Sequence, residues 1–237
     1  GVSQLKLVDG WGAIQAPPAD AWLLEALQPA NTFVLLELKR PAEAMSQGLE
    51  FVQWEAALVA RLIMEYLRWR DPAADDGSIF VVTPHHYQRQ AVLHELAAAG
   101  IPEAAREVNT VEKMQGRECD LVVVCYGGFQ DVETEREFIY VRERLNTAVS
   151  RAKKKCVLLC DPTLVEPDIA VCETAEQQAG YELLRTIVDC CTQRTLAGCI
   201  KLDAPRTLGL PALTTTLSAH HDAPRTLGPA RLAPAAE

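Results

Sequence analysis

The stretch LVVVCY, residues 121–126, carries no charge at any of its six positions. Three other runs share this pattern, namely FVLL at 33–36, IFVV at 79–82 and CVLLC at 156–160. Continuous rather than alternating apolar residues are typical of strands that are buried on both faces of a parallel sheet. The sequence therefore predicts a parallel sheet at the centre of the fold.

Helical segments are expected between these runs. An apolar stripe at helical spacing after the first run predicts a helix that stops near DPAADDG at 71–77. After the second run, Thr83 is predicted to be an N-cap and Pro84 the first residue of a helix that ends at Gly100. Residues 163–199 predict one or two further helices. Strands that alternate with helices predict an α/β architecture with right-handed crossovers.

Composition excludes several classes of protein. The chain has 237 residues, 49% of them hydrophobic and 23% charged, which argues against a collagenous, coiled-coil or wholly disordered protein. No apolar run approaches the roughly 18 residues of a bilayer span, so we expect no membrane contact and an intracellular location, in the nucleus or cytoplasm. The net charge is −9, so any contact with nucleic acid must be local.

The C-terminal residues 201–237 differ from the rest of the chain. They hold five prolines and no aromatic residue, and they repeat DAPRTLG at 203–209 and 222–228. Such a segment cannot bury enough apolar area to offset its ordering entropy, which predicts a disordered tail. We expect a domain over residues 31–200, preceded by an uncertain N-terminal segment at 1–30.

The eight cysteines do not form a metal-binding pattern. There is no Cys-x-x-Cys, and Cys190, Cys191 and Cys199 have no histidine at ligand spacing. We therefore expect free thiols in a reducing compartment and no metal site.

Two polar segments could form a site, because ligands of open parallel sheets lie beyond the carboxyl ends of the strands. TPHHYQRQ at 83–90 places Gln88 and Arg89 in the first turns of a helix, where an amide and a cation can reach an anion, although spacing alone favours plain exposed helix residues. NTVEKMQGRECD at 109–120 places polar groups around Gly116, which can adopt the positive φ of a tight turn. A plain connecting turn is an alternative for this second segment.

A third segment, RERLNTAVSRAKKK at 142–155, is predicted to be a helix with six basic residues and one acidic residue. On that helix Arg144 and Arg151 would lie two turns apart on similar faces. Cations near a helix C-terminus complement its dipole, which accounts for the lysines. Arg151 adjoins the apolar stripe of the segment, so we expect it to be held near the sheet.

These segments resemble motifs of superfamily 1 helicases. TVEKMQGRECDLVVV at 110–124 resembles motif V, RERLNTAVSRAKKKCVLL at 142–159 resembles motif VI, and SIFVVTPHHYQRQAVLHEL at 78–96 resembles motif IV. The best match is the branch that contains the nonsense-mediated-decay RNA helicase and its DNA-acting relatives. The three motifs stand in the expected order across residues 50–162.

The resemblance implies the second, RecA-like motor domain of a P-loop NTPase-type helicase that uses ATP and Mg²⁺ on single-stranded RNA or DNA. No glycine is followed by lysine, so GxxxxGK[ST] is absent, and the Asp-Glu pair that would hold Mg²⁺ is missing as well. We therefore expect half of an ATP site, with most ligands supplied by an N-terminal motor domain of the same parent chain. His85 and Ser150 depart from the tyrosine and threonine that are usual in the family.

The resemblance also assigns roles to individual residues. The alternative to a helicase motor domain is a RecA-like module that has lost catalysis and serves in protein interaction or regulation. The carried-over roles are Arg151 as catalytic arginine finger with Arg89 as a second phosphate-sensing cation, Gln88, Glu118 and Gly116 as ATP-binding residues, and Thr83, Thr110 and Gln115 as nucleic-acid-binding residues.

Overall fold

The fold is described from a computed structural model of the chain. The predicted tail at 201–237 and the first 20 residues lie outside the described part. The described residues are 21–39, 48–70, 77–101, 106–114, 116–127, 138–167, 172 and 174–197.

A six-stranded sheet forms the centre of the molecule, and all of its neighbouring strands are parallel. Its order is β3-β2-β4-β5-β1-β6. The four predicted strands are confirmed, and two edge strands, β3 and β6, join them. The strands are β1 (Phe33–Lys39), β2 (Ile79–Val82), β3 (Arg106–Asn109), β4 (Cys119–Tyr126), β5 (Ala152–Cys160) and β6 (Thr192–Ala197).

Helices cover both faces of the sheet, as the continuous apolar runs predict. In β4, Leu121 and Val123 belong to a core shared with the first three helices, while Val122 and Val124 belong to a core on the opposite face. The α/β, RecA-like architecture is thus confirmed in its three layers. The helices are α1 (Ala21–Leu27), α2 (Gly48–Trp69), α3 (His86–Ala98), α4 (Arg142–Val149), α5 (Pro162–Val165) and α6 (Ala175–Asp189), with a 3₁₀ turn at Val111–Met114.

The start of α3 differs from the prediction, whereas its end agrees with it. The N-cap residue is His85 rather than Thr83, because the backbone N–H of Thr83 still donates to Asn109 O at 3.1 Å and so continues the pairing of β2 with β3. At the other end Gly100 has φ of +69°. The N–H groups of Gly100 and Ile101 bond back to carbonyls of the last turn, each at 3.0 Å, which is a Schellman-type ending.

The prediction of one helix over 142–155 is wrong in its second half. The helix α4 ends at Val149, and Ser150 and Arg151 form a turn that leads into β5. Arg144 and Arg151 are therefore not on the same helix. Lys153 and Lys154 are exposed strand residues rather than partners of a helix dipole.

Candidate functional site

The three predicted site segments lie at two opposite ends of the sheet. The carboxyl edge, where the strands end, holds Thr83 and Thr110, which follow β2 and β3 directly. The amino edge, where the strands begin, holds Gly116 and Glu118 before β4 and Arg151 before β5. The expectation of one site beyond the carboxyl ends is therefore wrong. Because β4 has eight residues, the two edges are about 23 Å apart.

At the carboxyl edge, two threonines occupy different environments. Thr83 is fully buried, and its hydroxyl has no hydrogen-bond partner among the described residues. Thr110 is half-buried, and its side chain hydrogen-bonds to Glu112. Burial raises the pKa of Glu112, but hydrogen bonds from its own backbone and from Thr110, together with Arg144, hold that pKa below its usual value. Glu112 is therefore an anion at neutral pH.

Gln88 is buried inside the protein. Its Nε2 atom donates to Glu55 Oε2 at 3.4 Å and to Cys125 O at 3.5 Å. The side chain is only 1% exposed, so it offers no surface to a nucleotide in this conformation. Gln88 acts instead as a link between α3 and the end of β4.

Arg89 is not brought together with Arg151. Its Nε atom donates to Val108 O at 2.8 Å, which ties α3 to β3. In the register of the sheet, Val108 lies at the level of Val123 of β4. Arg151 lies at the level of Cys119, the first residue of β4, because its carbonyl accepts from Cys119 N. These levels differ by four residues, about 13 Å along the strands, and two strands separate β3 from β5. The expectation that both guanidinium groups enter one cleft is therefore wrong.

A cluster of rings at the carboxyl edge was not anticipated from the sequence. The His85 ring stacks on Tyr87 with centroids 5.2 Å apart and an angle of 9° between the planes. It also meets Phe138 at 5.3 Å and 42°. The Arg144 guanidinium lies 4.0 Å from the Phe138 centroid and forms an ion pair with Glu112 at 3.0 Å. We call His85, Tyr87, Phe138 and Arg144 the ring cluster.

At the amino edge, the turn after α4 holds the Arg151 side chain. Its Nε donates to Thr147 O at 3.1 Å, and its terminal nitrogens donate to Ser150 Oγ at 2.9 Å and Arg117 O at 3.4 Å. The side chain is half-buried. The guanidinium is thus fixed against the turn that precedes β4, and part of it faces solvent.

Gly116 and Glu118 lie in the turn that Arg151 contacts. Gly116 has φ of +77°, is exposed, and has open space where a Cβ atom would stand. Glu118 is exposed, while Arg117 between them pairs with Glu107. Gln115, which was predicted to contact nucleic acid, lies outside the described residues.

The polar groups at the amino edge, the Arg151 guanidinium and the Glu118 carboxylate, suit a phosphate and a sugar hydroxyl. A guanidinium can donate the N–H groups of its fork to phosphate oxygens, a carboxylate can accept from a hydroxyl, and an exposed glycine allows close approach of a ligand. Within the described ranges no group of three or more His, Cys, Asp or Glu residues could hold a metal ion. By their own chemistry Arg151, Glu118 and Gly116 suit a nucleotide.

The cysteines for which the structure gives a state are free thiols, and four of them, Cys119, Cys125, Cys156 and Cys160, are buried in the sheet. Burial raises the pKa of Cys125, Cys156 and Cys160 above the ordinary value. In the described part of the chain no helix is both long and apolar enough to cross a membrane.

The parallel sheet with helices on both faces is a RecA-like α/β architecture, and the comparisons with known proteins place it in the helicase class. The chain belongs to the AAA domain family, which matches residues 5–163. Its relatives are superfamily 1 helicases of the nonsense-mediated-decay type, as the sequence motifs predict.

Three curated relatives illustrate this similarity. The DNA replication ATP-dependent helicase/nuclease DNA2 of Bos taurus is 31% identical over 147 residues, which are 60% of this chain and 13% of the relative. JHS1 of Arabidopsis thaliana, with the same description, is 28% identical over 142 residues, 58% of this chain and 10% of the relative. Helicase SEN1 of Saccharomyces cerevisiae is 26% identical over 134 residues, 55% of this chain and 6% of the relative. The chain thus matches only a small part of each relative's length.

Proposed function

We propose that residues 31–200 form the second motor domain of an ATP-dependent nucleic-acid helicase. In this proposal the amino edge meets ATP that is bound to a separate phosphate-binding domain, and the carboxyl edge meets a single strand of RNA or DNA. The segments 1–30 and 201–237 flank this motor domain. The observation that carries the proposal is the position of Arg151, which is fixed by three hydrogen-bond acceptors while part of its guanidinium faces solvent.

The role proposed for Arg151 is electrostatic. When bound, ATP with Mg²⁺ supplies the phosphoryl group that is transferred to water. The Arg151 guanidinium, always protonated and pre-oriented by Thr147 O and Ser150 Oγ, stabilises the negative charge that develops on that group. Glu118 accepts a ribose hydroxyl, and the open turn at Gly116 allows the nucleotide to approach. Arg89 and Gln88 have no part in this site, because each is bonded near the opposite edge.

The carboxyl edge supports the nucleic-acid half of the proposal. Thr110 is half-buried at the end of β3, so part of it can meet a strand, whereas Thr83 at the end of the neighbouring β2 is fully buried and offers a strand no surface in this conformation. With a net charge of −9 on the whole chain, binding of a strand by this surface should be weak and should fall with salt. The strand would run across the loops that follow β2 and β3.

The test is the substitution Arg151→Ala in a protein that unites this domain with its phosphate-binding domain. Arginine fingers contribute roughly 10³- to 10⁵-fold to turnover, so ATPase activity should collapse while nucleotide binding weakens far less. Steady-state ATP hydrolysis and equilibrium nucleotide binding measure the two quantities separately. Arg151→Lys should not restore activity, because an ammonium lacks the planar fork.

Arg142→Ala is the matched control. Arg142 is an exposed arginine in the first turn of α4, so its removal changes the charge of the same segment by the same amount without reaching the amino edge. Equal and small losses for Arg142→Ala and Arg151→Ala would support the alternative, a RecA-like module without catalytic function.

A further inference from the structure

The ring cluster lies where the proposed strand would pass. His85 is two residues beyond Thr83, and Glu112, the ion-pair partner of Arg144, is hydrogen-bonded to Thr110. His85 and Phe138 are each half-buried, so part of each residue is accessible to solvent. Two segments that are distant in sequence, 85–87 and 138, therefore bring aromatic rings to the same place at the carboxyl edge.

The packing beneath the cluster fixes the orientation of its rings. Tyr87 stacks on the His85 ring with nearly parallel planes, which differ by 9°. Phe138 meets the same imidazole at 42°, and the Arg144 guanidinium lies over the Phe138 ring, 4.0 Å from its centroid. Rings held in this way lose little entropy when a flat ligand stacks on them.

The charge of Arg144 is already balanced within the protein. Its Nε donates to Glu112 Oε1 at 3.0 Å, and the two side chains are 35% and 53% exposed. The cluster therefore offers aromatic surface rather than net positive charge. A ligand that it binds should be recognised by its π-face and not by its phosphates.

We propose that His85 and Phe138 form a stacking platform for one unpaired base of a single strand. Every nucleobase has a π-face, so the platform would hold RNA or DNA without reading its sequence. The inference rests on the proposed nucleic-acid edge and adds to it a contact that does not depend on phosphate charge. The departure of His85 from the family's tyrosine leaves an aromatic ring at this position.

The experiment compares two fluorescently labelled probes of equal length, oligodeoxythymidylate and an abasic oligodeoxynucleotide. Binding to the chain is followed by anisotropy at low and at raised salt. The wild-type chain should prefer the oligomer that has bases, and this preference should persist as salt rises, because counterion release affects both probes alike. A ribose oligouridylate of the same length should behave as the thymidylate does.

Substitutions then show which residues cause the preference for the probe that has bases. His85→Ala should weaken thymidylate binding at least about fivefold, as expected for loss of one stacked base, and should leave abasic binding unchanged. His85→Tyr should retain the preference, and Phe138→Leu should reduce it while keeping an apolar side chain in place. The control is His94→Ala, because His94 is 80% exposed on α3 and lies outside the ring cluster.

The outcomes separate two proposals, the stacking platform of His85 and Phe138 and the binding of nucleic acid at the carboxyl edge. Equal binding of both probes by the wild type, or equal effects of His85→Ala on both, would overturn the platform and leave the nucleic-acid edge in place. Absence of binding to every probe, with the chain folded, would overturn both.

Discussion

Glu55 is a carboxylate buried beneath the carboxyl edge, where it joins three elements. Its Oε1 atom accepts from Gly127 N at 2.8 Å, and its Oε2 atom accepts from Gln88 Nε2 at 3.4 Å. The side chain is 1% exposed. The Gln88 Oε1 atom has no hydrogen-bond partner among the described residues. A single side chain of α2 therefore fixes both α3 and the residue that follows β4.

We predict that Glu55→Ala lowers the free energy of unfolding by about 2 to 4 kcal/mol, because it leaves the buried N–H of Gly127 without its acceptor and opens a cavity. Glu55→Gln should cost less than about half as much. Its oxygen can still accept from Gly127, and once the Gln88 amide turns over, the new amide can donate to Gln88 Oε1 in exchange for the long bond from Gln88 Nε2 to Cys125 O. Urea unfolding measures both, and equal losses would show that hydrogen bonding is not what Glu55 contributes.

Individual residues also show what the sequence could not reveal. The order of residues in the sequence predicts that Gln88 lies near a strand end, but it does not predict the hydrogen-bond partner of the side chain. Glu55 is 33 positions away from Gln88, and Gly127 is 72 positions away from Glu55. Such pairs depend on the order of the strands in the sheet, so the helicase resemblance predicts an ATP contact for Gln88 although its side chain is buried.

At the scale of elements, α6 approaches the chain segment before α4 unusually closely. A Cβ atom at Gly180 would stand 1.7 Å from the carbonyl oxygen of Tyr140. Tyr140 is held in place by its own contacts, since its hydroxyl donates to Leu164 O at 2.8 Å and its ring meets Tyr181 edge-on at 5.8 Å. Only glycine at this position allows α6 to pack against that backbone.

Gly180→Ala should therefore destabilise the protein by about 3 kcal/mol or more, since a fixed backbone atom must move. Gly100→Ala is the control, because open space surrounds Gly100 and only its φ of +69° opposes the substitution. The expected loss for Gly100→Ala is about 1 kcal/mol. Thermal or urea unfolding of both variants measures the difference, and equal losses would mean that α6 shifts easily away from Tyr140.

Elements were predictable in proportion to their burial. The four central strands have neighbours on both sides and helices on both faces, so their sequences are continuously apolar. The edge strands β3, with the sequence REVN, and β6, with TQRTLA, have one neighbour each and keep polar residues, so no apolar run reveals them. The end of α4 was missed because AKKKCVLLC contains residues that are compatible with either structure until strand pairing selects β5.

At the scale of the whole molecule, topology separates the two halves of the proposed function. The segment from Thr110 to Glu118 begins at the end of β3 and finishes at the start of β4, so it crosses from the carboxyl to the amino edge. Motif order along the sequence predicted the components of both halves. It could not predict their separation, because the edge on which a residue lies depends on where each strand starts and stops.

The same packing places ionisable groups in the core, and these determine the response to alkaline pH. Burial raises the pKa of the thiols Cys125, Cys156 and Cys160, which therefore stay protonated in the folded state. Burial lowers the pKa of Lys155 to about 8, although its Nζ donates to Gln28 O at 2.8 Å and also to Asn31 O. The thiols and the lysine have opposite effects on stability as the pH rises.

Unfolded thiols ionise at about pH 8.5 to 9, so above that pH each buried thiol makes folding less favourable by about 1.4 kcal/mol per pH unit. Lys155 acts in the other direction between pH 8 and 10.5, because there the unfolded state binds more protons than the folded state. Three thiols outweigh one lysine, so the free energy of unfolding should be maximal near pH 8.5 to 9 and fall steeply beyond it. Urea unfolding in reductant from pH 7.5 to 10 measures this profile. Cys156→Ala should make the decline shallower, Lys155→Met should make it steeper, and a flat profile in all three proteins would show that these groups reach solvent in the folded state.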